Sequence, residues 1–384
     1  LKHGEEIPPE FEGEIDSGLL KKTSDYTFEN TRFGIFSSIF DETLLLIFIF
    51  SGLLAFYDSW IKSLDLNFIL SGISFIFILT WLKTIIDSPF DIYSSFKIEK
   101  KYGFNTMTPK LWISDFIKGL AISTLLMGLL LAAALWIIQT LPNLWWLPVW
   151  AFFFIFSIFM MYISPYILEP LFNKFTPLDD EELESKIKEA LGKTGIKISR
   201  VFKMDASKRT KHTNAYFTGI GKTKRIVLYD TLLEKLEKDE IVAVLAHEAG
   251  HWKKKHILKY IIFFEAFALA GAFIAFYILK SDFLGKLFFI PGASFFTKLI
   301  LLSFIASIVM WPVSPLVNIV SRFFEREADD FACNLVNGGD ALASALVKLS
   351  KDNLSNLHPH PLYAKFHYSH PPATERIRYL RNKK

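Results

Sequence analysis

Cysteine is almost absent. One residue, Cys333, in 384 leaves no partner for an intrachain disulfide and no thiolate cluster for a metal, so it reads as a small buried apolar residue on a helix. Charge is also scarce: Asp, Glu, Lys and Arg make up 21% of the chain and gather in a few blocks. The basic residues sit in loops with no interleaved aromatics, so a net charge of +4 makes no case for a nucleic-acid partner. No signal peptide is visible. Residues 1–38 are polar and acidic and open on Leu1 rather than Met, and we expect a segment ahead of it.

What the chain has instead is apolar bulk. It is 51% hydrophobic, with 39 phenylalanines and a mean hydropathy of +0.30. Such a composition predicts a polytopic membrane protein with the lipid bilayer as its surroundings. Six stretches are long enough to span, or nearly so: Thr43–Tyr57, Leu66–Ile86, Phe116–Gln139, Trp146–Leu168, Leu258–Leu279 and Leu299–Val320. The first is short unless Ile35 to Phe40 extends it. Two hydrophilic regions remain, Asn173–His256 and the tail after the sixth stretch. We divide the chain at residue 172: 1–172 as an N-terminal membrane domain with four spans, 173–384 as a second domain holding two more. Lys97, Lys100, Lys101 and Lys110, the Lys/Arg-rich 173–256 block and the basic C-terminus fall on one side of the alternating spans, predicted to be cytosolic.

The residues with chemistry begin at His247-Glu248-Ala249-Gly250-His251. His247 and His251 are four apart on one helical face, so both imidazoles can reach one zinc ion. Glu248 stands where it can take a proton from a metal-bound water. An apolar lead-in, Ile241 to Ala246, and the small pair Ala249 and Gly250 distinguish the pattern from two histidines on a surface helix. The fifth span begins about seven residues after His251, which predicts a helix running straight on into the membrane. The sixth returns to the same side just before Glu325, Glu327 and Asp329, which compete for the third ligand position. Glu325 and Asp329 share a face, so Glu325 can bind metal while Asp329 accepts the spare ring N–H of His247; Glu327 points about 200° away. Four tail histidines, His358, His360, His367 and His370, stand on or near proline turns. Any one could donate to a developing oxyanion, and the residue chemistry does not choose among them.

Between the fourth and fifth spans, Asn214–Gly219 and Lys224–Tyr229 read as a β-hairpin, either covering the catalytic helix or offering an edge to a substrate strand. Asp179–Leu191 reads as an amphipathic structural helix. Lys253, Lys254, Lys255 and His256 read as an interfacial anchor.

These residues resemble the integral-membrane CaaX prenyl proteases, the type I prenyl endopeptidases. The resemblance rests on Tyr102-Gly103-Phe104-Asn105 with Thr108, Pro165 with Glu169–Phe175, Thr213–Gly219, His247–Trp252, Ser321-Arg322 with Glu325 and Ala328-Asp329, and His367–Pro372 with Glu375-Arg376. It implies an all-α polytopic membrane protein, a hollow barrel of seven transmembrane helices, of which six are visible here, and a cytosolic zincin-type metallopeptidase domain with one Zn2+ per chain. It implies His247, His251 and Glu325 as ligands, Glu248 as base and His370 at the oxyanion. Asn214 and Ala215 would hold the substrate strand, and Arg376 would contact substrate or brace the site. The implied activity removes the C-terminal tripeptide of isoprenylated CaaX proteins. The location would be the endoplasmic reticulum membrane in a eukaryote, or the cytoplasmic membrane in a bacterium, with the active site facing the cytosol. Two alternatives are a membrane quality-control protease with no prenyl requirement and a transporter or structural protein with a vestigial zinc site.

Overall fold

The structure, a computed structural model, describes residues 6–218 and 223–383; Leu1 and Gly219 lie outside them. Its long helices are α1 (Ser17–Phe50), α3 (Phe68–Tyr93), α4 (Pro109–Thr140), α5 (Trp146–Ile167), α8 (His256–Lys280), α9 (Phe295–Met310) and α10 (Ser314–Val336). A shorter α2 (Leu53–Ser63) follows α1. Together these supply six candidate spans, with α9 and α10 joined through one turn of 3-10 helix at Trp311–Val313. Asp16, Asn67, Thr108 and Ser294 each accept a backbone N–H in the first turn of α1, α3, α4 and α9, which fixes where those helices begin.

Most spans match expectation but overshoot it, because the flanking polar residues continue the helix into the aqueous phase. The first differs in kind. It runs 34 residues from Ser17 and stops at Phe50, so Thr43–Tyr57 straddles two helices. Gly52, at φ +90°, makes the break that a residue with a Cβ would resist.

The spans do not pack around a solid core. At most 11% of the most apolar stretch of any span is buried. Charges also occur within them: Lys83 bonds Asp41 at 3.1 Å and pairs with Asp87, and Trp150 donates to Glu265 at 3.0 Å. In a bilayer such groups belong on a watery interior, so the barrel is hollow. Its floor is closed where α2 packs Leu54, Tyr57 and Ile61 against Phe75, Leu279 and Phe296. Asp58, 3% exposed, pins that floor by accepting from Thr297 at 2.7 Å and Lys62 at 2.6 Å.

At the other end sits the hydrophilic part. The expected hairpin is there, as β3 (Ala215–Thr218) antiparallel to β4 (Thr223–Tyr229), but it belongs to a larger mixed sheet. With β1 (Phe175–Pro177) and β2 (Lys197–Met204) the order is β1-β2-β4-β3, leaving β3 with a free edge. Helix α6 (Glu181–Gly192) buries Leu183, Ile187 and Leu191 in the core beneath the sheet. The motifs in the membrane half dock this sheet. Tyr216 donates to Glu169 at 2.6 Å, Arg225 donates to the Pro165 carbonyl at 3.3 Å, and Asn105 bridges to Thr210. Apart from short turns of helix, the hydrophilic part also contains α7 (Lys238–Lys253), α11 (Asp340–Asp352), α12 (Pro361–His367) and α13 (Ala373–Arg381).

Candidate metal centre

Helix α7 is held from all sides. Glu237 and Glu240 form a capping box at its start, and Glu240 also accepts from Ser344 at 2.6 Å and Lys348 at 2.8 Å on α11. Ile241, Leu245 and Ala249 enter the core under the sheet, while Ala243 and Ala246 enter a second core with α10, α11 and α13. Ile241 and Leu245 each contribute about 1.5–3 kcal/mol by burial. Against α10 the approach is backbone to backbone. A Cβ on Gly250 would meet the Ala328 Cα at 2.9 Å. That contact brings Glu325, one turn before Ala328, up to the histidine face.

The result is a small triangle. His247 Nε2 and His251 Nε2 lie 3.2 Å apart; Glu325 places Oε2 3.4 Å from the first and Oε1 3.3 Å from the second. A tetrahedral ion with ligand bonds near 2.0–2.1 Å has ligand–ligand edges of about 3.3–3.4 Å, so the triangle has the right size. One of its ligand atoms is left unsatisfied: Glu325 Oε2 is buried with no hydrogen-bond partner among the described residues. The surrounding charge agrees, since Glu325 and Asp329 share a single guanidinium, Arg376, with Glu248 half-buried on α7. A divalent cation balances that excess of carboxylate. The residues therefore fit a metal.

Around the triangle, Asp329, 1% exposed, takes His247 Nδ1 at 2.8 Å, as the spacing on α10 predicts. An ionised carboxylate only accepts, so it places the proton on Nδ1 and turns the Nε2 lone pair into the triangle. Arg376 grips Asp329 with two bonds, Nη2 at 2.6 Å and Nε at 3.0 Å, and lies 3.4 Å from Glu325. Its side chain is 10% exposed and committed to carboxylates. Glu248 is half-buried, has no hydrogen bond among the described residues, and its partial desolvation pushes the carboxyl above the usual carboxylate range.

Two family profiles divide the chain: "CAAX prenyl protease N-terminal, five membrane helices" matches residues 1–174, and "Peptidase family M48" matches residues 177–384. The chain belongs to peptidase family M48. It is 38% identical over 386 residues to the Arabidopsis thaliana CAAX prenyl protease 1 homolog, covering 97% of this chain and 89% of that protein. It is 35% identical over 401 residues to the Saccharomyces cerevisiae CAAX prenyl protease 1, covering 97% and 87%. The crystal structure of S. mikatae Ste24p superposes with a TM-score of 0.91 at 33% identity, covering 98% of this chain and 92% of that one. This M48 protein is a multi-pass membrane metallopeptidase whose family implies a catalytic metal and a peptide or protein substrate.

Of the four tail histidines, the M48 fold brings one to the centre. His370 Nε2 is 3.3 Å from Glu325 Oε1, its other nitrogen lies 2.9 Å from Ser369 Oγ, and its side chain is 61% exposed at the mouth. The others stand elsewhere: His358 contacts the Glu6 carbonyl at 2.9 Å, His360 precedes α12, and His367 stacks on Tyr363. Ala215 begins β3, which packs beside α7, and Asn214 just before it accepts the Ala215 N–H with its side chain at 2.9 Å.

Two expectations fail here. The His247–His251 helix does not run on into the membrane: α7 ends at Lys253, and Lys255, at φ +58°, redirects the chain before α8. Nor is His256 an interfacial anchor. It is 1% exposed, stacks on Phe324 at 4.1 Å, and bridges His251 to Glu327. Neither feature has a local signal, because Lys-Lys-Lys-His contains no glycine to mark a break and histidine has no fixed preference for burial.

Proposed function

We propose that the peptidase binds one zinc ion through His247, His251 and Glu325 and removes the C-terminal tripeptide from isoprenylated CaaX proteins, with its site open to the cytosol. The observation that carries the chemistry is the triangle of two imidazole nitrogens and a carboxylate, with edges of 3.2–3.4 Å, beside the unpaired Glu248. The substrate assignment rests on relatives that are named CAAX prenyl protease across nearly their whole length. The Lys/Arg-rich regions that share a side with α7 support the cytosolic orientation, in the endoplasmic reticulum membrane of a eukaryote or the cytoplasmic membrane of a bacterium. We take residues 1–172 as the membrane domain and 173–384 as the peptidase domain.

When bound, zinc supplies a Lewis acid for the scissile carbonyl and lowers the pKa of a water. The rest falls to this chain. Glu248 takes one proton from the attacking water, the C–N bond breaks, and Glu248 returns that proton to the leaving amine. His370, on its proline turn, donates from Nε2 to the carbonyl oxygen as negative charge builds on it. Ala215, on the free edge of β3, and Asn214 just before it hold the extended substrate backbone. Arg376, already spent on Asp329 and Glu325, braces the ligands.

The test is a farnesylated Cys-a-a-X peptide against its unprenylated twin, with Glu248→Gln as control. The wild type should release the tripeptide from the first, and the variant should keep its metal and lose orders of magnitude in turnover. Equal cleavage of both peptides would shift the assignment to a protease without prenyl selectivity. A zinc-loaded, fully active Glu248→Gln would refute the base.

A further inference from the structure

The structure accounts for the orientation of His247 through Asp329, but the spacing on α10 offers no such carboxylate to His251. We infer that His256 and Glu327 form a relay that holds His251 in its metal-binding tautomer, making them positioning residues for the metal; this rests on the reading of His251 as a ligand. His251 Nδ1 faces His256 Nδ1 at 3.0 Å, and His256 Nε2 faces Glu327 Oε2 at 3.1 Å. Only one proton fits between the two Nδ1 atoms. Glu327 decides which ring supplies it. As an acceptor it requires the Nε2–H form of His256, whose Nδ1 is then a lone pair. His251 must therefore donate from Nδ1, and its Nε2 lone pair turns to the triangle.

Every part of the relay is anchored. Lys254 and Lys259 stand 4.0 and 3.9 Å from Glu327, two cations beside the carboxylate that faces His256. Phe324 stacks on the His256 ring with an interplanar angle of 6°, fixing its plane. The turn at Lys255 carries His256 back toward α7; a straight helix would place positions 251 and 256 about 140° apart around its axis. Glu327 thus acts from the α10 face that points away from the metal. Each histidine has its own carboxylate, Asp329 directly for His247 and Glu327 through one ring for His251.

Four full-length proteins in detergent test this: wild type, His256→Phe, His256→Gln and Glu327→Gln. Zinc affinity is measured by competition with a chelator, the cobalt(II)-loaded forms are compared by visible spectrum, and the metal-free forms are melted. His256→Phe keeps the stack but accepts nothing from His251, and should weaken zinc binding about 10–100-fold. His256→Gln can accept at its carbonyl and donate at its amide, and should recover most of the affinity. Glu327→Gln can turn its amide to donate, which allows the relay to reverse, and should lower affinity and alter the cobalt bands while leaving metal-free melting unchanged. Wild-type affinity in His256→Phe and Glu327→Gln would overturn the relay while leaving the ligand assignment intact. A wild-type protein that binds no zinc would overturn both. Equal affinity losses in all three variants, matched by lower metal-free melting temperatures, would overturn the relay in favour of simple packing.

Discussion

Gly250→Ala is the smallest change that should separate the metal from the fold. The added Cβ would lie 2.9 Å from the Ala328 Cα, 3.1 Å from the Ala328 carbonyl oxygen and 3.2 Å from the Phe331 Cβ, where ordinary contacts begin at 3.4 Å. Two of those neighbours are backbone and cannot rotate away, so α7 and α10 must part by about 0.5 Å at their crossing, the difference between contact and clash. His251 is the next residue on α7, and Glu325 lies one turn before Ala328. An opening of that size exceeds the roughly 0.2 Å tolerance of a metal–ligand bond. Overpacking costs about 1–3 kcal/mol, and a helical alanine returns up to about 1 kcal/mol, so the fold should survive. Zinc affinity should fall at least about 10-fold, the scale seen when ligand support is lost. The assay is metal content after dialysis against graded chelator, alongside turnover and melting temperature. Gly271→Ala, where nothing lies within 4 Å of the new Cβ, is the matched helical control and should leave metal content and turnover unchanged. A Gly250→Ala enzyme with full metal and wild-type turnover would show that the close crossing does not set the ligand geometry.

Lys255→Gly should raise stability by up to about 1 kcal/mol, because a left-handed conformation penalises a Cβ, and should leave zinc affinity unchanged; a lower melting temperature would mean that the Lys255 side chain matters more than its backbone. Arg376→Leu removes the partner of buried Asp329 and should cost about 3–5 kcal/mol in unfolding free energy, and a loss under about 1 kcal/mol would contradict the pairing seen here. His212 links the membrane helices to the strand that begins at Ala215: Glu99 lies 3.2 Å from its Nε2 and raises its pKa. The raised value means the stabilisation is fully present below the unfolded pKa of about 6.5 and is lost as pH climbs through the folded one. The melting-temperature gap between wild type and Glu99→Gln should accordingly narrow from pH 6 toward alkaline pH, modestly because the ring is 38% exposed. A gap that stays constant with pH would rule out an ionised His212 in the contact.

The sequence by itself determined whatever follows from local periodicity. Apolar runs of bilayer length mark the spans, four-residue spacing puts His247 beside His251, and the same spacing puts Glu325 beside Asp329. Those relations hold within one helix, so they survive without knowledge of its neighbours. The tertiary structure decided what depends on which helices meet. It brought His370 rather than His358, His360 or His367 to Glu325, because the turn before α13 points His370 at the triangle, whereas His367 ends α12 and stacks on Tyr363. It extended α1 back to Ser17, where Tyr26 and Glu29 bond Glu99 and Tyr102 and make a polar stretch worth ordering as helix. It also broke the chain at Lys255 and so recruited Glu327, which the helical wheel turns away from the metal, through the intervening ring of His256. Side-chain spacing along one helix is written in the order of residues, whereas a contact across 71 positions, such as that between His256 and Glu327, exists only after the spans have folded against each other.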